Sequence, residues 1–97
     1  MQEIVHGEHT YTIDTECKGR EGWRRYQAYA HIMANRPETD DTLMDYDTML
    51  LLVMLGVVAW TREGLPADPQ SWEDVPAPVM WDLCVQIMQG INATRKN

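Results

Sequence analysis

The sequence predicts a mainly α domain, an N-terminal β-hairpin followed by three helices in a compact bundle. Three observations carry that reading. Residues 2–13 alternate apolar and polar about a Gly-Glu pair; apolar residues recur at helical spacing in two later segments; and an apolar run from Met49 to Trp60 is broken only by Gly56. At 97 residues the chain makes a single domain (residues 1–97) near the lower end of what buries an adequate core alone.

In the hairpin, spanning about residues 2–13, a turn with glycine first at Gly7-Glu8 places Ile4 opposite Tyr11. Ile4, Tyr11 and Ile13 then share one face, with Thr10 and Thr12 on the other. An isolated hairpin is marginal in water, so its apolar face is expected to lie on helices or to extend a neighbour's sheet. Residues 14–22 read as a loop. The first helix is expected over about 21–35, with Trp23, Tyr26, Ala30 and Met33 as its apolar stripe and Pro37 as its stop. The second is expected over about 42–63, with Asp40 and Asp41 favouring its positive end and Gly64 and Pro66 ending it. From Met49 onward that helix is apolar all round, so it must be covered within the domain or by another copy. Gly56 inside it costs about 1 kcal/mol relative to Ala, and a close helix crossing is one reason to carry it. A Pro-rich loop over 64–76 holds Trp72, whose large surface favours packing down as an anchor. The third helix is expected over about 77–94, with Pro78 tolerated in its first turn and Met80, Cys84, Ile87, Met88 and Ile91 buried.

Composition limits the function classes. The net charge is −7 and unevenly spread: residues 1–36 balance, whereas residues 37–92 hold ten Asp/Glu against Arg62 alone. An acidic body disfavours nucleic acid, which requires a basic footprint. Lys18, Arg20, Arg24 and Arg25, interleaved with Trp23, Tyr26 and Tyr29, form the one basic patch, and salt bridges to the acidic half suit it better than nucleic acid. The apolar run of 12 residues falls short of the roughly 18–20 of a membrane span. The opening Met-Gln-Glu-Ile-Val-His carries no basic stretch followed by an apolar one, so a cytoplasmic chain without a secretory leader is expected. Cys17 and Cys84 stand far apart in no paired motif; free thiols are expected, Cys84 as a buried small hydrophobe, although a bridge between them stays open.

No catalytic constellation is visible. The one serine, Ser71, lies outside any nucleophile motif, and no Gly-rich phosphate loop occurs. His6-x-x-His9, with Glu8 or Cys17 near, lacks the second ligand pair of a structural zinc site. Asp40, Asp41, Asp45 and Asp47 lack calcium-loop spacing. No cofactor, no metal and no enzymatic activity are expected. What stands out instead is contact chemistry: Tyr46, Met49, Leu52, Met54 and Trp60 on the apolar helix, with Trp72 in the loop, are the candidate partner-binding residues.

From Val57 to Ile91 the chain reads VVAWTREGLPADPQSWEDVPAPVMWDLCVQIMQGI. An apolar segment ends in Trp; a charged turn with Gly and Pro leads through an acidic stretch to a Pro-led amphipathic helix. This resembles the tail assembly chaperones of long-tailed bacteriophages, over about a third of the chain, at Trp60, Gly64, Pro66, Val75, Pro76 and Pro78. The resemblance implies a factor that coats the hydrophobic, helical tape-measure protein, helps recruit tail-tube subunits and is absent from the finished tail. It also implies self-assembly and, in some members, a longer frameshifted form. Two other readings compete: an acidic mimic of nucleic acid that inhibits a host defence nuclease, motivated by the ten carboxylates over residues 38–82, and a small structural subunit of the virion.

Overall fold

The computed structural model describes residues 1–36 and 44–95. Two antiparallel strands, β1 (Gln2–His6) and β2 (His9–Ile13), are followed by helices α1 (Gly19–Ala34) and α2 (Tyr46–Gly56). Strand β3 (Val57–Trp60) continues directly from α2; a 3₁₀ turn (Pro69–Trp72) and helix α3 (Ala77–Arg95) complete the chain. The strands form one antiparallel sheet in the order β1-β2-β3. The fold is therefore an α/β arrangement of three helices and a three-stranded sheet, not the mainly α bundle expected from sequence.

The hairpin has the expected register, with Ile4 opposite Tyr11 and His6 opposite His9. Gly7 adopts φ +60° and no other hairpin residue has positive φ, the pattern of a type II′ turn. Ile4, Tyr11 and Ile13 are buried on one face.

The correction arises in the apolar run. The helix predicted over 42–63 starts at Tyr46 and stops at Gly56; its proposed beginning at Thr42, with the proposed roles of Asp40 and Asp41, lies outside the described residues. Asp45 caps α2, its carboxylate accepting hydrogen bonds from the Thr48 backbone N–H (3.2 Å) and hydroxyl (2.5 Å). Beyond Gly56 the chain turns extended. Val57 pairs with Ile13, Ala59 with Thr12 and Trp60 with Tyr11, with a register shift at Thr12/Ile13. A continuous apolar run does not separate buried helix from buried strand by periodicity. Here Gly56 weakens the helix, and Val57, Val58 and Trp60 are residues that favour a pleated surface. The hairpin supplies the edge that pairs with them.

Helix α1 begins two residues earlier than predicted and is rotated relative to its predicted stripe. Tyr29 and Gly22 are buried and Tyr26, Ile32 and Met33 pack against the core, whereas Trp23 is 59% exposed and Ala30 faces solvent. The backbone of Cys17 lies where a Cβ on residue 22 would sit, so only glycine permits this approach. Arg25 is drawn back to the preceding loop, donating to the Glu16 carbonyl and, at 3.3 Å, to Asp14. Trp23 instead stacks on Tyr26, with ring centroids 6.0 Å apart. Helix α3 buries Met80, Leu83, Cys84, Ile87 and Ile91. Met88 packs at its margin.

One core unites these elements. It joins Ile4, Tyr11 and Ile13 of the hairpin, Leu52 and Val53 of α2, Val57 of β3, Trp72, and the buried face of α3. The other face of the sheet, carrying Glu3, Val5, Val58 and Ala59, is exposed.

Candidate interaction surface and hairpin cleft

Helix α2 packs against both α1 and α3, with Thr48, Met49, Leu52, Val53 and Gly56 as its buried arc. At about 100° per residue, Tyr46, Asp47, Leu50, Leu51, Met54 and Leu55 make up the rest of the circumference. Of these only Asp47 is polar. Leu51 is 50% exposed and Tyr46 46%, while Leu50, Met54 and Leu55 are partly covered at the core margin. A helix that buries one side ordinarily turns a polar side to water. This one turns a second apolar side.

The predicted contact residues divide accordingly. Tyr46 and Met54 lie on the outward arc of α2, and Trp60 is half-buried at the sheet margin. Met49, Leu52 and Trp72 lie in the core and offer no surface to a partner. Leu51, the most exposed apolar residue of α2, was not among the predicted residues. An unbroken apolar run carries no mark of which side faces out, so only packing reveals it.

Trp60 and Trp72 form a structural corner. Their rings meet at 4.6 Å between centroids, tilted by 53°. Trp72 donates its indole N–H to the Pro66 carbonyl (2.8 Å) and Trp60 to the Gly64 carbonyl (3.0 Å). Trp72 thus buries its rings and Trp60 half-buries its own, while the one donor of each is satisfied by the loop between them. Trp72 is the anchor expected from sequence, 1% exposed. Gly64, at φ +81°, provides a left-handed turn that a side chain would strain.

On the hairpin side, the row of rings continues from Trp60 to Tyr11 (6.2 Å, edge-on) and from Tyr11 to His6 (6.2 Å). His6 Nε2 lies 2.7 Å from Asp82 Oδ2 of α3. Asp82 also accepts from Gln86 (3.0 Å), and Gln2 donates to Gln86 (3.2 Å), so a polar seam fastens β1 along α3. His6 and His9 are cross-strand neighbours, yet among the described residues no group of three or more His, Cys, Asp or Glu side chains converges as metal ligands. Beside the seam opens a cleft of about 320 Å³ between the hairpin turn and the start of α3, lined by His6, His9, Tyr11, Arg62, Pro76 and Val79 and by the turn residues Gly7 and Glu8. Arg62 reaches the Tyr11 hydroxyl (3.5 Å) and the Asp74 carbonyl (3.2 Å). Its signal in the sequence was its isolation, the one Lys or Arg between residues 37 and 92.

The cysteines lie apart from these features, both as free thiols. Burial pushes the Cys84 thiol up to about 12. Burial also raises Cys17, with Arg25 opposing and Asp14 adding to it. Among the described residues no helix is long and apolar enough to cross a membrane. No family model, curated protein or solved structure matches this chain.

Proposed function

We propose that this chain is a non-catalytic protein-binding factor of the tail-assembly-chaperone kind, which lays the outward side of α2 against an apolar helical stripe of a tape-measure protein. The observation that carries the proposal is the second apolar side of α2, with Leu51 and Tyr46 about half exposed in a domain whose core is already complete without them. Exposed apolar side chains grouped on one element mark contact surfaces, and a client helix reads such a face through residues at i, i+3, i+4 and i+7. The chain's net charge of −7 would keep a complex dispersed in water. A second support is the corner that holds positions carrying the resemblance: Trp60 bonds to Gly64, Pro66 accepts from Trp72, and Val75 is buried just before α3. In this reading tail-tube subunits are recruited to the coated client, and self-association through the same side of α2 is its competitor for that surface.

Co-expression with a tape-measure protein tests it. The client is expected to move from the insoluble to the soluble fraction and to co-purify with this chain. A client that stays insoluble at equal expression overturns the proposal. Binding to a basic nuclease that collapses with added salt would instead favour nucleic-acid mimicry.

A further inference from the structure

The hairpin cleft is equipped with donors that the protein itself leaves unanswered. Tyr11 is buried but lines the cleft, and the one contact to its hydroxyl among the described residues comes from Arg62. A guanidinium has donors only. The Tyr11 oxygen therefore accepts, and its own proton has no protein acceptor among the described residues. Arg62 is in a similar position: two of its N–H groups reach the Tyr11 hydroxyl and the Asp74 carbonyl, and it makes no ion pair among the described residues although the chain carries 15 Asp and Glu. The His9 ring also lines the cleft without a hydrogen-bond partner among the described residues. No carboxylate among the described residues supplies the missing acceptor: Asp82 bonds His6 and Gln86 through Oδ2, and Glu8, in the cleft lining, is exposed at the tip of the turn. Pro76 and Val79 add an apolar wall.

A guanidinium with N–H groups to spare matches a two-oxygen acid best, through paired N–H bonds in one plane. We propose that this cleft binds a carboxylate carried beside a small apolar group, its oxygens accepting from Arg62 and the Tyr11 hydroxyl, with His9 at the rim and the apolar group against Pro76 and Val79. At about 320 Å³ the cleft admits one or two side chains. Such a group is either the terminal carboxylate of a chain or small molecule, or an acidic side chain of a protein. None of the lining residues belongs to α2, so the site stands or falls independently of the client-binding reading.

The test is a titration of the ¹⁵N-labelled protein followed by NMR at the Arg62 Nε–H, the Tyr11 ring and the His9 ring. N-acetyl-leucine presents a terminal carboxylate, N-acetyl-glutamate α-amide a side-chain one, and N-acetyl-leucinamide is the neutral control; inorganic phosphate is a fourth arm. Saturable shifts at the three residues with either carboxylate and none with the leucinamide support the site, and the tighter of the two identifies the source. Tyr11→Phe, which keeps the ring and removes the donor, and Arg62→Gln are each expected to weaken binding about tenfold or more. Arg62→Lys, which keeps charge without the fork, is expected to lie between. Absence of saturation at concentrations on the order of 100 mM, where even a millimolar site fills, overturns the proposal. So does an equal response to the leucinamide, tighter binding of phosphate than of both carboxylates, or unchanged affinity in a natively folded Tyr11→Phe protein.

Discussion

Gly56 of α2 and Ile87 of α3 meet so closely that a β-carbon at residue 56 would occupy the space of the Ile87 side chain. Ile87 is fully buried and has core neighbours behind it, so it has little room to retreat. Gly56 also marks the point at which helix gives way to strand, and its carbonyl accepts from the Asp14 N–H (2.9 Å), joining the hairpin's exit to the end of α2. Two effects oppose each other in Gly56→Ala. Helix propensity favours Ala by at most about 1 kcal/mol, the value for a helix interior, and Gly56 is the last residue of α2. Overpacking against Ile87 costs typically about 1–3 kcal/mol. The contact wins because both residues lie in the core, and urea unfolding is expected to show a net loss of stability. A stabilised Gly56→Ala protein would mean that the two helices separate without cost.

Two of the four tryptophans are predicted to differ sharply by environment. Trp72→Ala removes a side chain that is 1% exposed, orphans the Pro66 carbonyl and takes from Trp60 the nearer of its two ring neighbours. The expected loss is about 3–5 kcal/mol, a large part of the stability of a domain this size. Trp23→Ala, on the open side of α1, is expected to change stability by no more than about 0.5 kcal/mol. Chemical denaturation of the two variants checks the contrast.

The two thiols are predicted to react very differently. A thiolate is the reactive form, and Cys84, with its ionisation pushed up to about 12 by burial, remains a thiol throughout the neutral range. Its hydrogen is donated to the Met49 carbonyl (3.4 Å), which also ties α3 to α2. Cys17 is half-buried and raised by the same cause, so it is slow but reachable. Iodoacetamide at pH 8 is expected to label one site per folded chain, at Cys17, and a second after denaturation. Rapid labelling of Cys84 in the folded protein would contradict its place in the core.

Asp45 gives a pH dependence of definite sign. The Thr48 hydroxyl above all, and the backbone N–H of Thr48, bond its ionised carboxylate and hold it below the ordinary carboxylate range, against an opposing push from desolvation. A folded-state value below the unfolded one means that the cap is fully effective above the unfolded value. Its contribution fades as pH falls through the folded one. The stability difference between the native protein and Asp45→Ala is therefore expected to be constant near neutrality and to shrink under acid conditions. A difference that grows on acidification would reverse the assignment of Asp45 as cap.

Much of the architecture was legible where a local rule operates alone. The hairpin followed from one glycine-first turn between alternating residues, and α3 from Pro78 and a stripe at Met80, Cys84, Ile87 and Ile91. Strand β3 was not legible, because Val57 to Trp60 continue an apolar run and their strand state is decided by pairing with β2, a contact from 44 residues or more away in the register Ile13 to Val57 and Tyr11 to Trp60. The orientation of α1 was missed for a related reason: Gly22 has no apolar side chain, yet it faces the Cys17 backbone and turns Trp23 outward. At the candidate surfaces, Tyr46 and Met54 were identified by type, whereas Leu51 was indistinguishable in sequence from Leu52 beside it. Arg62 was visible as an isolated cation, but its relation to Tyr11 exists only once β3 has paired.

The neighbouring leucines give the sharpest separation of surface from core. Leu52 is fully buried, and Leu52→Ala is expected to cost about 2–5 kcal/mol through lost burial and a cavity. Leu51, one position round the helix, is half exposed, and Leu51→Glu is expected to change stability by no more than about 0.5 kcal/mol. Binding should respond in the opposite order. If α2 presents its outward side to a client helix, a carboxylate at residue 51 introduces an unpaired charge at the centre of the contact. Client solubilisation should then be lost while the far-ultraviolet spectrum and unfolding midpoint stay native. Leu52→Ala, where it remains folded, should retain binding in proportion to its folded fraction. Full client binding by Leu51→Glu would remove the outward side of α2 as the contact surface and leave the open face of the sheet, with Val5 and Val58 exposed, as the other apolar surface to mutate.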